Sequence, residues 1–136
     1  MSIINSDKLI IERGNSVLFN FVGNFDNFGK LMPDQVTDWK STADNCSFTI
    51  SGMASLSMRM ALKQPNDKVV MASVGDKPFS FELICQLVAI DNLSTEVQLV
   101  FDAQLSPMLA MMATRPLQNF VNILVNKLKA YAEENL

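Results

Sequence analysis

Residues 94–107 read Ser94-Thr95-Glu96-Val97-Gln98-Leu99-Val100-Phe101-Asp102-Ala103-Gln104-Leu105-Ser106-Pro107. Thr95, Val97, Leu99, Phe101, Ala103 and Leu105 fall on one parity, and Glu96, Gln98, Asp102 and Gln104 on the other. Successive side chains of a strand point to opposite faces, so this is a strand buried on one side only. Ser106-Pro107 ends it, because a serine cap with proline at the first helical position starts a helix. Downstream the apolar period becomes helical. Leu117, Phe120, Val121, Leu124, Leu128 and Tyr131 line one face, with Asn119, Asn122, Asn126, Lys129 and Glu133 mostly opposite. Pro116 either kinks this helix or separates a short turn at 108–113 from the main helix, with Thr114 as a second cap.

Upstream, Phe79, Phe81, Leu83, Cys85, Leu87 and Ala89 form one face of another long strand, turned back by Asp91-Asn92. Cys46, Phe48 and Ile50 alternate with Ser47, Thr49 and Ser51, and Ala54, Leu56, Met58, Met60 and Leu62 with Ser55, Ser57, Arg59, Ala61 and Lys63. Val69 to Val74 is a shorter run whose buried face alternation leaves open; the turns at 64–67 and 75–78 bound it. Strands joined by short turns form an antiparallel meander. Before it, Lys8 to Arg13 reads as a first strand, and Val17, Leu18, Phe21, Val22, Phe25 and Phe28 as two short helices meeting at Gly23-Asn24 and ended by Pro33.

These elements predict an α+β fold: a curved antiparallel sheet of about seven strands wrapped on a long C-terminal helix, with two short helices after strand 1. No repeat or linker divides the chain, so residues 1–136 are expected to form a single domain. The order of elements, Leu31-Met32-Pro33 closing the helix pair, Trp39 near the start of the sheet and Leu105-Ser106-Pro107-Met108 leading into the last helix resemble the helix-grip superfamily. That superfamily (START-like, SRPBCC) includes START lipid-transfer domains, birch pollen allergens, polyketide cyclases and coenzyme Q-binding proteins. The resemblance implies a cavity between helix and sheet. Fold alone does not choose among these activities.

Composition narrows the choice. Apolar residues make up 49% of the chain and charged residues only 18%, so much greasy surface needs burial. No apolar run reaches the length of a membrane-spanning helix and no secretion signal opens the chain, so the expected compartment is the cytoplasm, without integral membrane association. A net charge of −3 argues against nucleic acid. The absence of histidine removes His-based acid/base chemistry and most transition-metal sites, and Cys46 and Cys85 lack metal-ligand spacing, so neither metal nor cofactor is expected. Both cysteines read as buried free thiols.

Met58, Met60, Met108, Met111 and Met112 stand on or near the expected sheet–helix interface, where an unbranched, polarisable side chain can fill core or adapt to a ligand. The candidate cavity lining is Trp39, Phe48, Met58, Met60, Phe81, Leu83, Cys85, Phe101, Met108, Met112, Phe120 and Leu124. Lys127 and Lys129 read as partners of the helix dipole, and Asp34 and Asp38 as solvated loop carboxylates. The expected function is non-catalytic binding or transport of a hydrophobic small molecule or lipid. Two alternatives stay open: a cyclase- or dehydratase-like enzyme acting on a polyketide-type or other carbonyl substrate, and a protein-interaction module resembling the superfamily's chaperone-activating branch.

Overall fold

The computed structural model describes residues 2–75 and 78–136. The chain runs through β1 (Ser2–Asn5), β2 (Leu9–Ile11), α1 (Asn15–Val22), α2 (Phe25–Phe28) and a 3-10 turn (Gly29–Leu31). It continues with β3 (Val36–Ser41), β4 (Asn45–Ile50), β5 (Ala54–Gln64), β6 (Lys68–Ser73), β7 (Phe81–Asp91), β8 (Ser94–Ala103) and α3 (Pro107–Asn135). All eight strands join one antiparallel sheet in the order β1-β8-β7-β6-β5-β4-β3, with β2 also paired to β8.

The expected architecture is present, with differences at the ends. The expected first strand is β2, and a further strand, β1, precedes it; Ser6 stands between them, its hydroxyl accepting from the Leu99 amide at 2.8 Å and donating to the Asp7 carbonyl at 2.9 Å. α1 and α2 meet at Gly23-Asn24 as the pattern requires, and the Asn24 side chain caps α2 by accepting from the Asp26 amide. Asp76 and Lys77 of the turn read at 75–78 lie outside the described residues.

The core lies between the sheet's inner face and the helices. β7 and β8 pair Leu83 with Phe101, Cys85 with Leu99 and Leu87 with Val97, and all six side chains are buried. β6, whose face was open, turns Val69 and Met71 toward Cys85 and Leu83. A register shift between Met60 and Leu62 makes Leu62 the partner of Val70 and leaves it exposed, so the alternation read through β5 holds only to Met60. α3 lays Leu117, Phe120, Val121, Leu124, Val125 and Leu128 into the core. Pro116 sits inside this helix without dividing it.

Candidate functional site

The interface between α3 and the sheet collects most of the residues expected to line a cavity. Phe81 stacks on Phe101 with ring centroids 4.8 Å apart, and Phe79 meets both rings edge-on. A second aromatic group runs from the helix pair into the centre: Phe25 to Trp39 at 6.5 Å, Trp39 to Phe48 at 5.4 Å, and Phe48 to Phe120 of α3 at 6.2 Å. Trp39 fits because position 29 is glycine; a Cβ there would overlap the indole nitrogen.

Of the expected lining residues, Phe48, Met58, Phe81, Leu83, Cys85, Phe101, Phe120 and Leu124 are buried together, and Trp39 and Met60 are half-buried beside them. Met108 and Met112 are not: they are 72% and 69% exposed, and Met111 is 89% exposed. The reason is helical phase. With α3 unbroken at Pro116, a turn of about 100° per residue puts Met108, Met111 and Met112 opposite Ala113, Leu117 and Phe120, which face the core.

The most deeply buried of the core side chains border no cavity. Leu83, Cys85, Leu99, Leu117 and Leu124 have no exposed surface, and a void large enough for one water beside any of them would give it some. No water-sized void therefore borders these five side chains. A cleft of about 880 Å³ lies elsewhere, where Arg13, Gly14 and Val17 face Asn92 and Leu93 of the β7–β8 turn. Three of the five Arg13 N–H groups donate to the carbonyls of Glu12, Glu133 and Leu136.

Little reactive chemistry reaches the interior. Among the described residues the buried polar ones are Ser6 and Thr95, and the Thr95 hydroxyl donates to the Arg13 carbonyl at 2.8 Å. Burial pushes the Cys46 and Cys85 thiols up to about 12, so both stay protonated and weakly nucleophilic near neutrality. Both are free and buried. A buried oxygen without a protein partner among the described residues is Asp102 Oδ1, which adjoins a shallow cleft with Ser80, Glu82 and Gln104. No group of His, Cys, Asp or Glu suited to a metal ion occurs among the described residues.

Sequence reasoning missed how α3 is fastened. Gln118 donates to the Asn5 carbonyl at 2.7 Å, Asn122 accepts from the Asp7 amide at 2.9 Å, and Lys129 donates to the Ile10 carbonyl at 2.6 Å. Glu133 accepts from the Glu12 amide and from Lys129, and this hydrogen bonding holds its carboxyl below the usual range. Toward the 3-10 turn the helix makes one such bond, from Lys127 Nζ to the Met32 carbonyl at 3.0 Å. The dipole reading of Lys127 and Lys129 had no means of finding these acceptors, which are backbone groups remote in sequence.

The architecture defines the class: this is a helix-grip α+β fold, and solved structures show the same arrangement. A START superfamily protein from Mycobacterium smegmatis superposes with a TM-score of 0.71 at 12% identity, covering 98% of this chain and 99% of that one. A norcoclaurine synthase point mutant from Thalictrum, bound to a transition-state analogue, gives 0.74 at 10% identity over 98% and 94%. The Aha1 dimer from Colwellia psychrerythraea gives 0.64 at 17% identity over 98% and 97%. No family model and no curated protein matches the chain. No helix among the described residues is long and apolar enough to cross a membrane.

Proposed function

We propose that this chain is a non-catalytic binding domain for a hydrophobic small molecule, taken up between α3 and the inner face of the sheet. The observation that carries this reading is the chemistry of that interface. Phenylalanine, leucine and valine make up most of its buried side chains, no charged side chain among the described residues is buried there, and the buried hydroxyls of Ser6 and Thr95 are spent on backbone groups. Proton transfer requires a positioned acid or base at the substrate, whereas partition of an apolar ligand requires only apolar surface that can repack. Met58, Met60 and Met71 provide unbranched, adaptable side chains for that repacking. The fold's likeness to a START superfamily protein supports the same reading.

The test is native mass spectrometry of gently purified protein with solvent extraction of whatever co-purifies, followed by titration with an environment-sensitive apolar dye. Stoichiometric apolar ligand, or saturable dye uptake blocked by Phe101→Trp, is the expected result. A folded protein that takes up neither overturns the reading. One observation favours a second reading, a protein-interaction module: the exposed face of Met108, Met111 and Met112. That reading requires Met111→Asp to abolish association with a partner while leaving ligand uptake intact.

A further inference from the structure

We infer that the seam between α3 and the 3-10 turn is the entrance to the interior, and that Lys127 and Lys30 make it selective for single-chain amphiphiles with a carboxylate head. This rests on the hydrophobic-ligand reading and names the ligand class.

The first argument is mechanical. Toward β1 and β2, α3 is held by bonds from Gln118, Asn122, Lys129 and Glu133 and by Arg13. Toward the 3-10 turn it is held by the Lys127–Met32 bond and by softer contacts: Lys30 Nζ lies 5.9 Å from the centre of the Tyr131 ring, and Tyr131 lies 5.1 Å from Phe21. Among the described residues, opening this side breaks one side-chain hydrogen bond, while opening the other breaks several.

The second argument is the path behind the seam. Trp39, half-buried, stacks on Phe48, and Phe48 stacks on Phe120 at the centre of the interface. A chain that entered here would slide along aromatic faces, which it can displace without uncovering a buried polar group.

The third argument is electrostatic. Lys127 is half-buried, yet its partner is a neutral carbonyl, and among the described residues neither Lys127 nor Lys30 forms an ion pair. Lys129, two positions on, shows the usual arrangement, with Glu133 at 2.8 Å. Asp34, two residues past Met32, pairs with neither lysine. The chain as a whole carries a net charge of −3, so two ammonium groups at this seam are a local feature. An ammonium bonds a carboxylate more strongly than a neutral carbonyl. A carboxylate head would therefore displace the Met32 carbonyl from Lys127, releasing the latch as it binds, while its tail takes the apolar path.

Trp39 is the single tryptophan and sits on that path, so its fluorescence reports entry. The protein is titrated with hexadecanoic acid, hexadecan-1-ol and hexadecyl phosphate, each below its aggregation limit. The acid is expected to bind about tenfold more tightly than the alcohol, as one charge-assisted bond implies. Lys127→Met should bring acid and alcohol to the same affinity, Lys30→Met should narrow the preference, and Lys127→Arg should retain it even where the methionine variant folds poorly. Equal binding of acid and alcohol, or an unchanged preference in folded Lys127→Met, overturns the role of the lysines but not the hydrophobic-ligand reading. Stronger binding of the phosphate than of the acid overturns the carboxylate assignment. Failure of all three to bind overturns the single-chain amphiphile assignment, and if the apolar dye also fails to enter the folded protein the underlying reading falls with it.

Discussion

The two parts of α3 on either side of Pro116 are both rich in apolar residues, and they live in different surroundings. Beyond Pro116, Leu117, Phe120, Val121, Leu124, Val125, Leu128 and Ala132 are buried, and polar side chains on the same stretch lace the helix to β1, β2 and the 3-10 turn. Before it, only Ala113 is buried, Met108, Met111 and Met112 stand in solvent, and no side-chain hydrogen bond among the described residues ties 107–115 to another element. Pro116 has no amide to donate back to Met112, so the ladder is also weakest where the two parts meet. The contrast teaches that an apolar side chain shows what can be buried, while burial itself depends on which face of the helix has a partner.

The comparison is most easily broken at Phe120. Phe120→Ala should cost about 3 to 5 kcal/mol, since it leaves a cavity beneath Phe48 in a packed interior. Chemical denaturation measures this directly, and a near-neutral result would mean that the second part of the helix is not the anchored one. Arg13→Ala should have the next largest effect, about 0.5 to 1.5 kcal/mol, because it removes the bonds to the Glu133 and Leu136 carbonyls and leaves these to water. Amide exchange should quicken in the last turn and stay unchanged at 107–115; uniform quickening would merge the two parts into one cooperative unit.

A pH titration sharpens the same contrast. The Glu133 carboxyl is held low, first by its hydrogen bond with Lys129 and then by the Glu12 amide. A depressed folded-state value means stability that is present above the ordinary carboxylate range and lost as the pH falls through the folded value. Glu133→Gln should therefore flatten the acid limb of the stability curve slightly, and an unchanged limb would show that this clasp carries no proton linkage. The smallest effect belongs to the first part of the helix. Met111→Ala, in open solvent, should shift stability by less than about 0.5 kcal/mol, and a larger loss in dilute monomer would show that the methionine face is packed after all.

Much of this molecule is legible in periodicity. The alternation of 95–105 and 79–89, the cap at Ser106-Pro107 and the breaks at Gly23-Asn24 and Pro33 define the sheet, the helix pair and the closing helix, because side-chain periods of two and 3.6 follow directly from backbone geometry. Even the placement of Met108 and Met112 was within reach, since counting phase back from Phe120 through an unbroken helix turns them outward. The added strand Ser2–Asn5 paired to β8, the register shift before Leu62 and the attachment of Lys127 to the Met32 carbonyl were not. Nor was the stacking of Phe48 on Phe120. Each of these joins groups remote in the chain, often through a backbone atom that every residue carries alike. Sequence therefore determined which faces are apolar, and only the tertiary structure decided which of them meet, how closely they pack and which edge of the helix is left loosely held.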